Sequence, residues 1–265
     1  MSKNVIMQQP GAPLPPGAPV EFMPAMQTIA GVPPGLEYLT LIDKLVIQQK
    51  KSLLEAVTSW EVTNKYAIYN AAAQQVYWAY EESGCCMRQC CANARGFTLH
   101  IVDNYQKEVL TIRRPFKCCA CGNCCACCLP CQSEITVESP PGNVIGIVRE
   151  QFGCCSFQLS VLNADESHED LKISGPNMCS FNWCCNCCSD KVFEILAPAT
   201  NQPIGTIRKK WTGAVKEIFT DADNFVAEFP LDLEVKVKAT LLAATFLVDF
   251  LAFENNEQNG GGGGG

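Results

Sequence analysis

ATLLAATFLVDFLAF, residues 239–253, is the most hydrophobic run in the chain, and the fold depends on where it is placed. As a helix its fifteen residues reach about 22 Å, short of the ~30 Å hydrocarbon core that about 20 residues cross. Asp249 counts further against a span, since a carboxylate at a helix centre costs about 2.5–3.5 kcal/mol on insertion scales. A helix apolar on every side must still be buried. In a chain otherwise rich in strands its place is the inside of a barrel, with Ala239, Leu242, Phe246, Asp249 and Phe253 along the helix. The alternative is a single marginal membrane span. Lys236 and Lys238 before the run, with Glu254 and Glu257 after it, would then hold the N-terminal bulk in the cytosol. The short helix bearing Asp249 would also thin the bilayer locally.

Working outward from that run, most of the chain alternates apolar and polar residues. FTLHIVDNYQKEVLTIRR (97–114) is two alternating runs about an Asp-Asn turn, which predicts a hairpin. KYAIYNAAAQQVYWAY, NVIGIVREQF, SFQLSVLNADESHEDLKISGP and LEVKVKA add further strands. Some ten to twelve strands spaced about ten residues apart predict a sandwich or a closed barrel. A weak internal repeat aligns 97–114 with VFEILAPATNQPIGTIRK (192–209), each preceded by a Cys-bearing connection with matching spacing: Cys85 before Cys90-Cys91, and Cys179 before Cys184-Cys185.

The flanks differ in composition. Residues 1–35 hold eight of the sixteen prolines and almost no charge, which predicts a disordered tail. Its overlapping PxxP pattern fits SH3- or WW-type partners. Residues 36–254 form the domain, and 255–265 form a flexible tail ending in six glycines. A net charge of −7 over 265 residues argues against general affinity for nucleic acid. The N-terminus has no secretory-signal pattern, and Ser2 stands where myristoylation needs glycine, so the thiols are expected in a reducing cytosol.

Nineteen cysteines are far more than a domain of this size usually carries, and CCACGNCCACCLPC (118–131) holds eight of them in fourteen residues. Disulfides fit a reducing compartment poorly. Several C-x-x-C pairs have zinc spacing, but so dense a cluster generates that spacing unaided, which leaves zinc the weaker reading. Acylation asks only for exposed thiols close to a membrane. One fatty chain holds reversibly, at about 0.8 kcal/mol per buried methylene, so clustering strengthens the anchor. Arg113, Arg114 and Lys117 beside the cluster, and Arg208, Lys209, Lys210 and Trp211 further on, could meet anionic headgroups; a solvated face is the plainer reading of each.

FTDADNFVAEFPLD (219–232) places Asp221, Asp223 and Asp232 at positions 1, 3 and 12 of an EF-hand-like numbering. Phe225 and Val226 occupy positions where a tight site wants an oxygen ligand and a glycine. Calcium held here would be weakly bound, in roughly the 10⁻⁴–10⁻³ M class. An Asx-rich turn between strands is the bland reading of the same residues. No enzyme motif is present: His100 and His168 lie in none, and no P-loop or nucleophile elbow occurs.

Taken together, PPGLEYL (33–39), the cysteine cluster followed by SPPGNVIG, LKISGP (171–176), WTGAVKEIFTDADNFVAEFPLDLEVKVKA (211–239) and FLVDF (246–250) resemble the phospholipid scramblase family over roughly residues 33–254. The resemblance implies a mainly β, tubby-like antiparallel barrel of about twelve strands around a hydrophobic C-terminal helix. It also implies a palmitoylated protein on the cytoplasmic face of the plasma membrane, with calcium-stimulated, ATP-independent movement of phospholipids between leaflets. The family's calcium segment maps onto Asp221 to Asp232, and its acylated cluster onto Cys124, Cys125, Cys127, Cys128 and Cys131. A nuclear-import segment of some members maps onto Arg208 to Trp211 and implies a nuclear pool. The competing reading is a lipid-anchored phosphoinositide- or protein-binding module without transport. Oligomeric state stays open on the sequence alone.

Overall fold

The computed structural model describes residues 20–50, 63–84, 95–117, 126–153, 156–177, 190–210 and 224–253. Twelve strands run in order: β1 (Lys44–Gln49), β2 (Lys65–Tyr69), β3 (Gln75–Glu82), β4 (Phe97–Asp103), β5 (Glu108–Arg114), β6 (Glu134–Glu138), β7 (Val144–Gln151), β8 (Ser156–Asn163), β9 (Glu169–Asn177), β10 (Lys191–Leu196), β11 (Pro203–Lys210) and β12 (Asn224–Glu228). Each pairs antiparallel with its sequence neighbours, and β12 returns to β1, so the barrel is closed and up-and-down. Closure removes every sheet edge.

Strand alternation decides what faces inward. In β10, Phe193 and Ile195 are buried while Val192 and Glu194 are exposed, the period-2 pattern of a sheet with one wet face. The predicted hairpin forms as β4 and β5. Its turn is fastened by Asp103, whose Oδ1 accepts from the backbone N–H groups of Tyr105 at 2.8 Å and Lys107 at 2.9 Å. The second copy of the repeat is the hairpin β10–β11. The two hairpins lie six strands apart in a ring of twelve, on opposite sides of the barrel.

The apolar run lies inside. Helix α1 (Val235–Ala252) fills the barrel, and Ala239, Leu242, Phe246, Asp249 and Phe253 are all buried. Among the described residues no helix is long and apolar enough to cross a membrane. The segment weighed as a span is therefore enclosed by strands, and a bilayer-thinning role for Asp249 has no helix to act through. α1 lies closest to β7 and β8. At Gly146 a Cβ would collide with the Thr240 side chain, so glycine permits that approach.

LEVKVKA, expected as a strand, is instead the entry to α1: residues 235–239 are helical. Its alternation imitates a strand. However, both neighbours of β12 are already taken by β1 and β11, which leaves no edge for another strand to join. The ordered domain also begins before residue 36. Gln75 donates to Glu21 at 2.7 Å and accepts from Met23 at 3.0 Å, while Met23, Met26 and Val32 pack on the core. These contacts, with the three side chains partly buried, reach back to residue 21 within the Pro-rich segment.

Candidate functional site

Alternating strand direction sends connections after odd-numbered strands to one rim and those after even-numbered strands to the other. All nineteen cysteines lie in four connections of the first kind: 83–96, 115–133, 152–155 and 178–190. Residues 211–223 join strand ends at the same rim. This is the cysteine rim; the opposite, turn rim is made of short connections such as 104–107 and 164–168. Helix α1 enters from the turn rim, and Phe253 at its far end packs against Phe193 and Phe225, with ring centroids 6.1 and 5.8 Å away.

Of the five candidate lipidation residues, Cys127 and Cys128 are exposed and Cys131 is half-buried; Cys124 and Cys125 lie outside the described residues. A 3-10 turn over Leu129–Cys131 shapes this part of the cluster, with proline at its start. The Cys131 N–H donates to the Cys128 carbonyl at 2.9 Å, and Gln132 Nε2 reaches back to the Ala126 carbonyl at 3.0 Å. These bonds pull residues 126–132 into a compact turn that projects Leu129, 68% exposed, beside the two thiols. Such a surface offers the access that thioester acylation needs.

Of the candidate calcium ligands, Asp221 and Asp223 lie outside the described residues, while Asp232 is exposed in the connection beyond β12 at the turn rim. Residues 224–228, which the EF-hand-like numbering crosses, are strand rather than loop. Among the described residues no group of three or more His, Cys, Asp or Glu side chains is placed to hold a metal ion.

The basic candidates are largely committed to the barrel. Arg208 pairs with Glu228 at 3.0 Å and Lys210 with Asp190 at 2.8 Å. Lys209 sits 4.0 Å from the Phe253 ring centroid, a cation–π contact. All three belong to β11, hydrogen-bonded on both sides; Trp211 lies outside the described residues. Arg114 turns inward, buried, and donates to Ser133 Oγ at 3.3 Å. Arg113 pairs with Glu138 at 3.0 Å, and Lys117 donates to the Gln132 carbonyl at 2.8 Å. Beside them an open groove of about 920 Å³ is lined by Glu82, Arg113, Arg114 and Glu138 among others; its charges are of both signs.

Several buried polar residues escape a reading by sequence. Lys238 is fully buried, and its ammonium donates to the carbonyls of Leu39, Ile42 and Leu231 at 2.9, 2.8 and 2.7 Å. Burial lowers its pKa, with Asp43 and Asp232 acting in the opposite direction. Glu81 and Arg95 form a buried pair at 3.1 Å, and Arg95 stacks over Phe250 at 4.8 Å. Asp249 accepts from the Tyr66 hydroxyl at 3.1 Å, which answers how a carboxylate tolerates the barrel interior. Burial raises the pKa of Glu150 against opposing hydrogen bonds from Ser133. Only the lone Asp249 in an apolar run gave a signal in the sequence; Lys238, Arg95 and Glu150 meet partners that involve connections, where periodicity is silent.

Comparison with known proteins settles the lineage. The chain matches the family described as Scramblase over residues 23–255. It belongs to the scramblase family. Phospholipid scramblase 1 of Homo sapiens is 47% identical over 239 residues, covering 90% of this chain and 71% of that protein. Phospholipid scramblase 2 of Bos taurus is 46% identical over 90% of this chain and 78% of its own length. Phospholipid scramblase 4 of Homo sapiens is 37% identical over 95% and 74%. A solved structure of a protein from Arabidopsis thaliana aligns with this scramblase-family barrel at a TM-score of 0.42 and 8% identity, covering 81% of this chain and 96% of that one.

Proposed function

We propose that this chain moves phospholipids in both directions between membrane leaflets without ATP, and does no covalent chemistry. The observation that carries the reading is the identity of 36–47% to phospholipid scramblases across the whole barrel. Attachment is by thioester-linked palmitate among Cys124, Cys125, Cys127, Cys128 and Cys131, two or more chains being needed for a stable hold. The membrane is the cytoplasmic face of the plasma membrane. Calcium stimulates transport by binding in the segment Asp221 to Asp232, with Asp221, Asp223 and Asp232 as candidate ligands, weakly, since Phe225 and Val226 stand where a tight site wants an oxygen ligand and a glycine. The packed interior supports a lipid path along the outside of the barrel or through bilayer it perturbs, because α1 occupies the space a headgroup would need.

The same packed interior favours a second reading, an anchored module that binds phosphoinositides or protein partners, SH3- or WW-type domains on the Pro-rich tail among them, and transports nothing. The two are separated by purified protein in liposomes, with and without millimolar calcium, beside an Asp221→Ala/Asp223→Ala variant. Calcium-dependent flipping lost in the variant supports transport and its trigger. Folded, membrane-bound protein that flips nothing selects the module. Hydroxylamine release from cell membranes tests the thioesters, and metal analysis of purified protein tests the weaker zinc reading.

A further inference from the structure

We propose that the cysteine rim carries a preformed apolar tip, Phe116, Leu129 and Phe152, that inserts into an anionic phospholipid bilayer and sets the barrel upright on it, turn rim outward. The proposal rests on the membrane reading above and adds to it a surface that works without acyl chains. The three side chains are 48%, 68% and 53% exposed, and they come from two separate connections, 115–133 and 152–155. Lys117 Nζ donates to the Gln132 carbonyl at 2.8 Å and closes the connection 115–133 on itself. Its last residue, Ser133, is tied to the end of β7 two residues before Phe152: the Glu150 N–H donates to the Ser133 carbonyl at 2.8 Å and the Ser133 N–H to Glu150 Oε2 at 3.3 Å. The exposed thiols of Cys127 and Cys128 share this sector, so an acyl chain attached there would enter the bilayer where the tip does.

Charge selects the occupant. Strand ends and connections at the cysteine rim present exposed Lys50, Lys65 and Lys210, with Glu82 the exposed acid among the described residues there. Connections at the turn rim present exposed Asp43, Asp165, Glu166, Asp232 and Glu234 against Lys107 and Lys236. Leu41, Tyr105 and Leu231 are exposed at the turn rim too, but they stand among those acids, which an anionic surface repels. These lysines lie across the ring from the apolar side chains, and an upright barrel brings both to the same headgroup–acyl boundary.

The test uses full-length protein from a source that does not acylate it, sedimented with preformed vesicles of phosphatidylserine and phosphatidylcholine. Phe116→Ser/Leu129→Ser/Phe152→Ser lowers the apparent affinity at least about a hundredfold, roughly tenfold or less for each side chain lost. Leu41→Ser/Tyr105→Ser/Leu231→Ser stays within about twofold of wild type. Matching thermal melts show that both variants are folded, as polar replacement of exposed side chains allows. The proposal is overturned if the first variant binds like wild type, which would hand the patch to a protein partner. Equal loss in the turn-rim variant, or no binding by the unacylated wild type, overturns it as well. Flipping in detergent-reconstituted vesicles is measured in parallel. Flipping without tip-dependent binding removes the docking surface alone, and tip-dependent binding without flipping removes the transport reading alone.

Discussion

The two rims of this barrel are made from the same twelve strands yet differ in almost everything else. At the turn rim the connections are short, Lys238 is gripped by three carbonyls, and the chain folds tightly before β1. At the cysteine rim the connections, 152–155 excepted, are long, and together they hold all nineteen cysteines, with exposed aromatic and aliphatic side chains among them. One rim closes the fold, and the other is free to carry chemistry. Short turns satisfy their own backbone and leave little to vary, whereas long connections on a closed barrel can diverge without disturbing the core.

If that division is right, substitutions at the turn rim cost stability and those at the cysteine rim cost attachment. The largest effect is expected for Lys238→Met, which strands three buried carbonyl acceptors. We expect a loss of ~3 kcal/mol or more in urea unfolding; an unchanged midpoint would mean that water replaces the ammonium. Gly35→Ala follows. Gly35 has φ +93 and its missing Cβ would overlap Val109, so strain and overpacking together cost about 2–4 kcal/mol in the same assay.

Asp249→Leu sharpens the comparison from inside the barrel. It leaves the Tyr66 hydroxyl without this acceptor and should cost about 1–3 kcal/mol, with membrane attachment falling only as far as stability does. Attachment lost at full stability would return this helix to the bilayer. By contrast, Cys127→Ser/Cys128→Ser should leave stability within about 0.5 kcal/mol while reducing acyl incorporation in cells, read by fatty-acid labelling.

The smallest effect lies between the rims. Burial opposes protonation of His100, but hydrogen bonds to Glu108 at 2.7 Å and Glu82 at 3.0 Å outweigh it and raise its pKa. A raised folded-state pKa stabilises fully below the unfolded value, about 6.5, and the contribution disappears as pH rises through the folded value. His100→Gln should therefore be most destabilising near pH 5.5 and nearly neutral at pH 9. A difference that grows toward alkaline pH would contradict the pairing.

What was legible in the sequence follows from periodicity. Two-residue alternation marks β4, β5, β8 and β10, and an all-round apolar run too short to span marks α1, because burial on every side leaves no polar face. LEVKVKA misled for the same reason: its alternation is real, but ring closure by β12 and β1 is a property of the whole sheet that no seven-residue window contains. The EF-hand-like numbering of the candidate calcium ligands gave no sign that residues 224–228 are strand, with Asp232 in the turn-rim connection beyond it. The cysteines needed only counting along the chain. That they share one rim emerges once strand direction is known, and the Lys117–Gln132 and Ser133–Glu150 contacts that gather the apolar tip depend on register.

The most direct test of the two-rim account is hydrogen–deuterium exchange of the unacylated, full-length protein with and without phosphatidylserine vesicles. The account predicts slowed exchange in segments 115–117, 126–133 and 152–153, with no change in the turns at 104–107 and 164–168. Protection at those turns, or equal protection at both rims, would contradict it.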